Sequence, residues 1–347
     1  DNMSVSIVVG GQYGSEGKGK VACFWAKKIH AEAVVRVGGS NSGHTVYDKD
    51  HKKCIFRMLP TACILNDVTC VLPSGTYIDV PVLLQEVREC KIATNRLKID
   101  PYAVIITDEN KKNESDLNLE IKIGSTMSGT GAAVIERIKR NKDGSILMAK
   151  DIPELTPFLT DTKIYLRQLM EKKKNVLIEG TQGYGLSVMH SKEYPYVTSR
   201  DTTAAGFLME TGLSPFDVEH IIMVIRAFPI RVGGSSGPLE NEINWKTVSI
   251  ESGSEEYFEE LTTVTHKVRR VARFSADLVR QAIRVNQPDV IVMNHIDYID
   301  YYNRNNNYLS MKQLEYIKMI EKEIDRKINY CGNGVSTTIE MLESVEL

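Results

Sequence analysis

The chain offers its clearest chemistry near its start. Gly10-Gly11-Gln12-Tyr13-Gly14-Ser15-Glu16-Gly17-Lys18-Gly19-Lys20 follows a β-branched run at 6–9 and precedes a helical pattern at 21–28. A strand, a glycine loop and a helix in this order make a phosphate cradle. Glycines let backbone N–H groups converge, the helix N-terminus adds positive potential, and Lys18 reaches phosphoryl oxygens. The spacing is not that of the common P-loop, G-x-x-x-x-G-K-[ST]: five residues separate Gly11 from Gly17, and Gly19 follows Lys18. A glycine turn used only for tight packing is the competing reading. A second loop, Gly38-Gly39-Ser40-Asn41-Ser42-Gly43-His44-Thr45, carries one of the seven histidines. His44 there either ties down its own loop or donates a hydrogen bond to an oxygen that gains negative charge.

The elements that must position these loops are legible from periodicity. Short β-branched runs at 6–9, 33–37, 103–107, 176–179, 221–226 and 289–293 read as buried, mostly parallel strands. Between them, 80–91, 132–140, 163–173, 271–284 and 311–327 carry apolar residues near a helical spacing. This alternation predicts an α/β fold, one large mainly parallel sheet covered by helices, spanning 3–347 as a single domain. The polar stretch 301–308 is the best loop candidate. Glycine-rich segments at 10–20, 38–45, 124–131, 180–185 and 233–237 fall after strands, where open α/β sheets bind ligands.

Composition narrows the function classes. With Lys+Arg 43 against Asp+Glu 45, the net charge of -2 leaves no footprint for nucleic acid or an anionic membrane. The six cysteines form no CxxC pair and read as reduced thiols of a cytoplasmic protein. No apolar run nears the ~20 residues of a membrane span. Asp1 and Asn2 precede Met3 and read as an addition ahead of the native start.

Both loops together resemble the adenylosuccinate synthetase family, whose signatures read G-Q-[WY]-G-D-E-G-K-G-K and N-x-G-H-T. The resemblance extends through Gly124-Ser125-Thr126 with Ser128-Gly129-Thr130-Gly131, Glu179-Gly180-Thr181-Gln182-Gly183, Tyr194-Pro195-Tyr196-Val197-Thr198, Arg231-Val232-Gly233, and the stretch from Thr263-Val264-Thr265 to Arg269-Arg270. It implies a carbon–nitrogen ligase of purine biosynthesis that phosphorylates the purine 6-oxygen and then joins aspartate at C6. It places Gly14, Glu16, Gly17, Lys18, Gly19, Gly43, His44 and Thr45 around the triphosphate, with Asn294, Asp297, Gly332 and Gly334 further along. Mg2+ is expected at Ser15 and Gly43. Ser15, Asn41, Ser125, Thr126, Gln182, Thr198 and Val232 are implied for the purine monophosphate, with Arg140 reaching in from the other subunit of a homodimer. Thr263, Val264, Thr265, Lys267 and Arg269 are implied for aspartate, and Ser15, Lys18, His44 and Gln182 for catalysis.

Departures from the family pattern point to a different purine. The family has an aspartate at Ser15, which takes the N1 proton; serine is a poor base, although its hydroxyl suits Mg2+. A disabled enzyme, a displaced base and a retuned substrate compete as explanations. Retuning accounts best for the change, since a hydroxyl leaves room beside N1 for the 2-amino group of guanine. Gly-Ser-Glu-Gly-Lys-Gly is similar to the phage branch, the N6-succino-2-amino-2′-deoxyadenylate synthetases, which join dGMP to aspartate on the route to 2-aminoadenine DNA. His266-Lys267 replaces the family Gly-Arg, and His295 replaces a lysine in Asn294-His295-Ile296-Asp297. ATP is therefore the expected phosphoryl donor, with dATP or GTP as alternatives. The competing functions are an ordinary GTP-dependent synthetase acting on IMP and a non-catalytic nucleotide-binding homologue.

Overall fold

The strand that feeds the first glycine loop is apolar on both faces, so helices must cover both. In the computed structural model, which describes residues 4–117 and 126–341, that strand is β1, Val5–Gly10, buried along its whole length. The remaining strands are β2 Ala33–Arg36, β3 His44–Tyr47, β4 Lys53–Phe56, β5 Thr69–Leu72, β6 Tyr77–Ile78, β7 Leu97–Ile99, β8 Val104–Ile105, β9 Val176–Gly183, β10 Val218–Arg226, β11 Ile230–Arg231, β12 Glu242–Ile243, β13 Arg270–Ala272, β14 Val290–Asn294, β15 Tyr330–Gly332 and β16 Thr338–Glu340. The α-helices are α1 Lys18–Lys28, α2 Val80–Glu89, α3 Asp108–Asp116, α4 Thr130–Lys139, α5 Thr162–Glu171, α6 Ala204–Met209, α7 Trp245–Glu251, α8 Ala276–Asn286 and α9 Met311–Ile324.

Nine strands form the main sheet in the order β16-β15-β14-β10-β1-β9-β2-β5-β7. All neighbours are parallel except β15 and β16. The two-residue side-chain period then sorts the core. Val5, Ile7 and Val9 pack with residues of α5, α6, α8 and α9, whereas Val8 packs with Val21, Ala22 and Trp25 of α1 on the opposite face.

Two sequence expectations shift. The run at 103–107 yields only the short β8, which pairs with β6 in a separate two-stranded sheet. The helix expected from 271 begins at α8 under a Ser275 cap; Arg270–Ala272 is instead β13, the middle strand of a small antiparallel sheet with β11 and β12. An apolar pair in Val271-Ala272 fits either period, and the strand forms because β11 and β12 supply backbone partners on both sides. Among the described residues no helix is long and apolar enough to cross a membrane.

Candidate active site

The loops leaving the carboxyl ends of β1, β2, β9, β11 and β14 converge on a cavity of about 1140 Å³. After β1 the chain makes a tight turn with Gly14 at φ 86, Ser15 at φ 55 and Gly17 at φ 95. A Cβ at Gly17 would stand 2.2 Å from Asn294 Nδ2, so the close approach of β14 requires glycine there. Glu16 is fully buried beneath the turn: its Oε2 accepts from Gln12 N and Gly14 N at 3.0 Å each, and its Oε1 pairs with Lys18 Nζ at 2.6 Å. Glu16 thus shapes the loop from below and does not line the cavity. Gly14, Ser15, Gly17, Lys18 and Gly19 do.

His44 opens β3 directly against α1. A Cβ on Gly19 would meet His44 Cβ at 2.7 Å, which explains a glycine after Lys18. The imidazole is 5% exposed, neither ring nitrogen has a hydrogen-bond partner, and Nδ1 lies 3.6 Å from Glu179 Oε1. Burial, reinforced by the Arg36 charge, pushes its pKa down to about 4, so the free protein holds a neutral imidazole at pH 7. Burial alone would raise Glu179, but His44, Arg36 and the hydroxyl of Thr61 at 2.7 Å hold it below the usual carboxylate range. Arg36 is itself locked to the carbonyls of Phe56 and Leu59 at 3.0 Å and of Ser42 at 2.6 Å.

Gln182 stands at the end of β9 with φ 64, lining the cavity beside Gly14. Asn41, Gly43, Thr45 and Thr126 line it from the other loops, and Val232 closes one side. The loop at Val232 is anchored by Arg231, whose guanidinium donates to Pro238 O at 2.8 Å and Ser236 O at 2.8 Å and stacks 4.0 Å over the Tyr13 ring.

The stretch around 259–269 supplies the far wall, including Thr263, Val264, Thr265, Lys267 and Arg269. His266 takes φ 53, a left-handed turn that accounts for glycine being the family residue there. Arg269 Nη1 pairs with Glu260 Oε1 at 2.8 Å. The same carboxylate grips Arg226 through both nitrogens and accepts from Tyr298 OH at 2.8 Å. Burial would raise Glu260; the charges of Arg226 and Arg269 instead hold it well below the usual range.

At the end of β14, Asn294 Nδ2 donates to Glu16 O at 2.8 Å while its Oδ1 lacks a partner. His295, at φ 60, borders the cavity, and burial followed by the Arg226 charge lowers its pKa to about 3. Asp297 is 8% exposed with Oδ1 unpaired; burial raises it to about 6 against the pull of Lys20. Lys20 in turn donates to Gly334 O at 2.9 Å and Thr337 O at 2.8 Å, fastening the first loop to the turn beyond β15.

Most sequence-predicted residues therefore meet around one cavity. Asp297 and Gly332 lie behind Asn294 and do not line it, whereas Gly334 does. Thr198 sits one layer out, its N–H donating to Leu186 O at 2.8 Å. Arg140 is exposed at the end of α4, outside the cavity. Ser125 lies outside the described residues. Sequence reasoning missed Arg226, Glu260 and Tyr298; the available signal was a lone arginine closing an apolar strand, as Arg36 does in β2 and Arg226 in β10. Among the described residues no three His, Cys, Asp or Glu side chains gather as a metal site.

Comparison with known proteins agrees with this geometry. A family model for adenylosuccinate synthetase matches residues 7–146 and 147–306. Adenylosuccinate synthetase of Methanocaldococcus jannaschii is 36% identical over 352 residues, covering 99% of this chain and 97% of that one. Its counterpart from Methanococcus aeolicus is 35% identical over 339 residues, covering 96% and 97%. Among solved structures, cyanophage S-2L succinoaminodeoxyadenylate synthetase, bound to dGMP and to dATP as an energy donor, superposes with TM-score 0.81 at 28% identity, covering 98% of this chain and 96% of that one. Fully ligated adenylosuccinate synthetase from Plasmodium falciparum shares the fold, with TM-score 0.82 at 20% identity over 98% and 100% of the two chains. The chain belongs to the adenylosuccinate synthetase family.

Proposed function

We propose that this ligase joins L-aspartate to C6 of dGMP, using ATP or dATP as phosphoryl donor. The observation that carries the reading is Ser15. It lines the cavity within the phosphate turn, next to Gly14, which packs against Gln182, at the position where the family pattern has an aspartate; a hydroxyl there leaves space and removes a negative charge beside the 2-amino edge of guanine. The likeness to the cyanophage enzyme bound to dGMP and dATP supports the same substrates.

In the first step the purine 6-oxygen attacks the γ-phosphorus, the bond to the β-phosphate oxygen breaks to release the nucleoside diphosphate, and the N1 proton passes to solvent water, since Ser15 is a poor base. Lys18 and the N-terminus of α1 face the charge that moves along the triphosphate. An arriving triphosphate and the negative charge building on the 6-oxygen push His44 back up, so that Nδ1 donates to Glu179 and Nε2 to the oxygen. Mg2+, when bound, neutralises phosphoryl oxygens; the Ser15 hydroxyl and Gly43 carbonyl would hold it. That sparse, carboxylate-free donor set suits a hard cation carried mainly by phosphate. In the second step the aspartate amine attacks C6 and phosphate departs. Arg269, with Thr263 and Thr265, receives the aspartate carboxylates, exchanging part of its bond to Glu260 for the substrate. Arg140, exposed beside Ile138, would reach the 5′-phosphate of a second copy in a homodimer.

The test is a single vessel containing enzyme, Mg2+, ATP, aspartate, dGMP and IMP, with both succino products followed by mass spectrometry. The succino-2-amino product should form faster. A clear preference for IMP would favour the second reading, an ordinary adenylosuccinate synthetase. That reading draws on the archaeal relatives and on the presence of Asp297 at the position where the family pattern also has an aspartate.

A further inference from the structure

Behind the cavity, and lining none of it, Arg200 touches the roots of two functional loops at once. Its side chain is 9% exposed. Nη2 donates to Thr181 Oγ1 at 3.2 Å, one residue before Gln182 on β9. The guanidinium also packs on Gly38, where a Cβ would stand 3.0 Å from Nη2 and 2.4 Å from Thr181 Oγ1. Gly38, at φ 101, begins the loop that leads to Asn41 and His44, and its carbonyl accepts from Tyr77 N at 2.8 Å. One planar cation therefore spans the gap between the two loops that bear the purine-side groups.

Arg200 is aimed by two further contacts. Its carbonyl accepts from Val188 N at 3.1 Å, and its Nε lies 3.2 Å from Oε1 of Glu210, which follows α6. Glu210 Oε2 has no hydrogen-bond partner, so Arg200 is this carboxylate's principal neighbour of opposite charge. A buried guanidinium without such a partner is costly, and lysine, a point charge on a flexible stem, cannot reproduce the fork.

We propose that Arg200 is a positioning residue of the ligase, its guanidinium fixing the spacing between Gln182 and the loop of Asn41 and His44 while Glu210 fixes its direction. The inference rests on the site being a purine mononucleotide site and holds for either purine. The charged and titratable groups facing Glu210 are Arg200, Arg137 on α4, Asp201 and Tyr77 on β6. Burial raises the Glu210 carboxyl to about 7 against the pull of Arg200 and Arg137, so the ion pair is complete above neutrality and loses its charge below it. Asp297, raised to about 6, belongs to the opposite end of the cavity and would bend the triphosphate dependence instead.

The experiment uses the full chain with Mg2+, ATP and aspartate, with kcat and each KM measured on dGMP and on IMP. Arg200→Met should lower kcat about tenfold or more on the better purine, with KM for ATP and aspartate within about twofold; misplacement of reacting groups has this signature. Arg200→Lys should fall between the two. In the wild type, kcat/KM for the mononucleotide should fall as pH drops through about 7, and Glu210→Gln should flatten that bend. Wild-type kcat in Arg200→Met, or a loss spread evenly over all three substrates with a lowered melting temperature, would overturn the proposal. If Arg200→Met does not fold, Glu210→Gln decides: a bend near 7 that survives in it overturns the proposal equally. Failure of the dGMP reading would change which purine turns over faster, without altering the ratio of variant to wild type.

Discussion

Arg226 donates to the carbonyl of Ser15 at 2.9 Å from the same guanidinium that grips Glu260. Ser15 stands in the first glycine turn and Glu260 at the head of the 259–269 wall, so the proposed seats of the purine and of the aspartate share one buried cation. Glu260 also holds Arg269, the fork expected to receive aspartate. In the free enzyme Glu260 keeps that fork oriented, and the substrate carboxylate competes for it.

Glu260→Gln tests this coupling. Arg226 is fully buried and Arg269 is largely so, and both would lose their shared counter-charge. Breaking a buried pair in this way costs roughly 3–5 kcal/mol. The melting temperature should fall, and kcat/KM for aspartate should drop by about tenfold or more while KM for the mononucleotide changes little. Added aspartate should recover part of the lost melting temperature, because its carboxylates return negative charge to Arg269. An unchanged kcat/KM for aspartate would contradict the coupling.

His44 is expected to act only once charge arrives. His44→Asn should reduce kcat by about 10²–10³, the usual loss for one donor to a developing oxyanion. Because burial holds the free imidazole near 4, kcat/KM should show no histidine step around pH 6.5 from this residue. A step near 6.5 that disappears in His44→Asn would show that the imidazole is charged before substrates bind.

Much of this arrangement was legible in the chain, and the unreadable part has a physical cause. Glycine loops after β1 and β2 announce themselves because only glycine suits the positive φ at Gly14 and Gly17 and the close approach of Gly19 to His44. Strands β1, β9, β10 and β14 each contain a short apolar run, Ile7–Val9, Val176–Ile178, Ile221–Ile225 and Val290–Met293, because both faces are covered there, and that run is a local property. Glu260 and Arg226 were not readable as partners: they lie 34 residues apart and meet only through the packing of β10 against the loop before β13. The use made of the Glu16 side chain was hidden in the same way. Its place in the motif suggests phosphate contact, whereas its carboxylate is spent on the amides of Gln12 and Gly14.

Ser15→Asp should move the substrate preference toward IMP. A carboxylate at this position takes up the space that the 2-amino group of guanine would fill, and it supplies a base for N1. The ratio of kcat/KM for dGMP to that for IMP should fall by about tenfold or more, measured by competition in one vessel. Arg226 should hold the backbone unchanged, since it engages the Ser15 carbonyl and not the side chain. Unchanged or improved use of dGMP would contradict the steric account.

Glu210 makes a separate prediction about stability. Burial raises its folded pKa from the ordinary 4.5 to about 7, so the native state binds the proton more tightly than the unfolded chain. The stabilisation is fully present below pH 4.5 and is lost as pH rises through 7. Glu210→Gln keeps the neutral shape and cannot lose a proton. Its stability relative to wild type should therefore shift in its favour by about 3 kcal/mol between pH 4 and pH 8, as read from urea melts at each pH. The absolute offset between the two proteins includes the charge that Arg200 loses with Glu210, so the slope carries the test. A difference that stays flat across this range would mean that the carboxyl titrates at its ordinary value of 4.5 and that Arg200 meets an ionised partner throughout the neutral range.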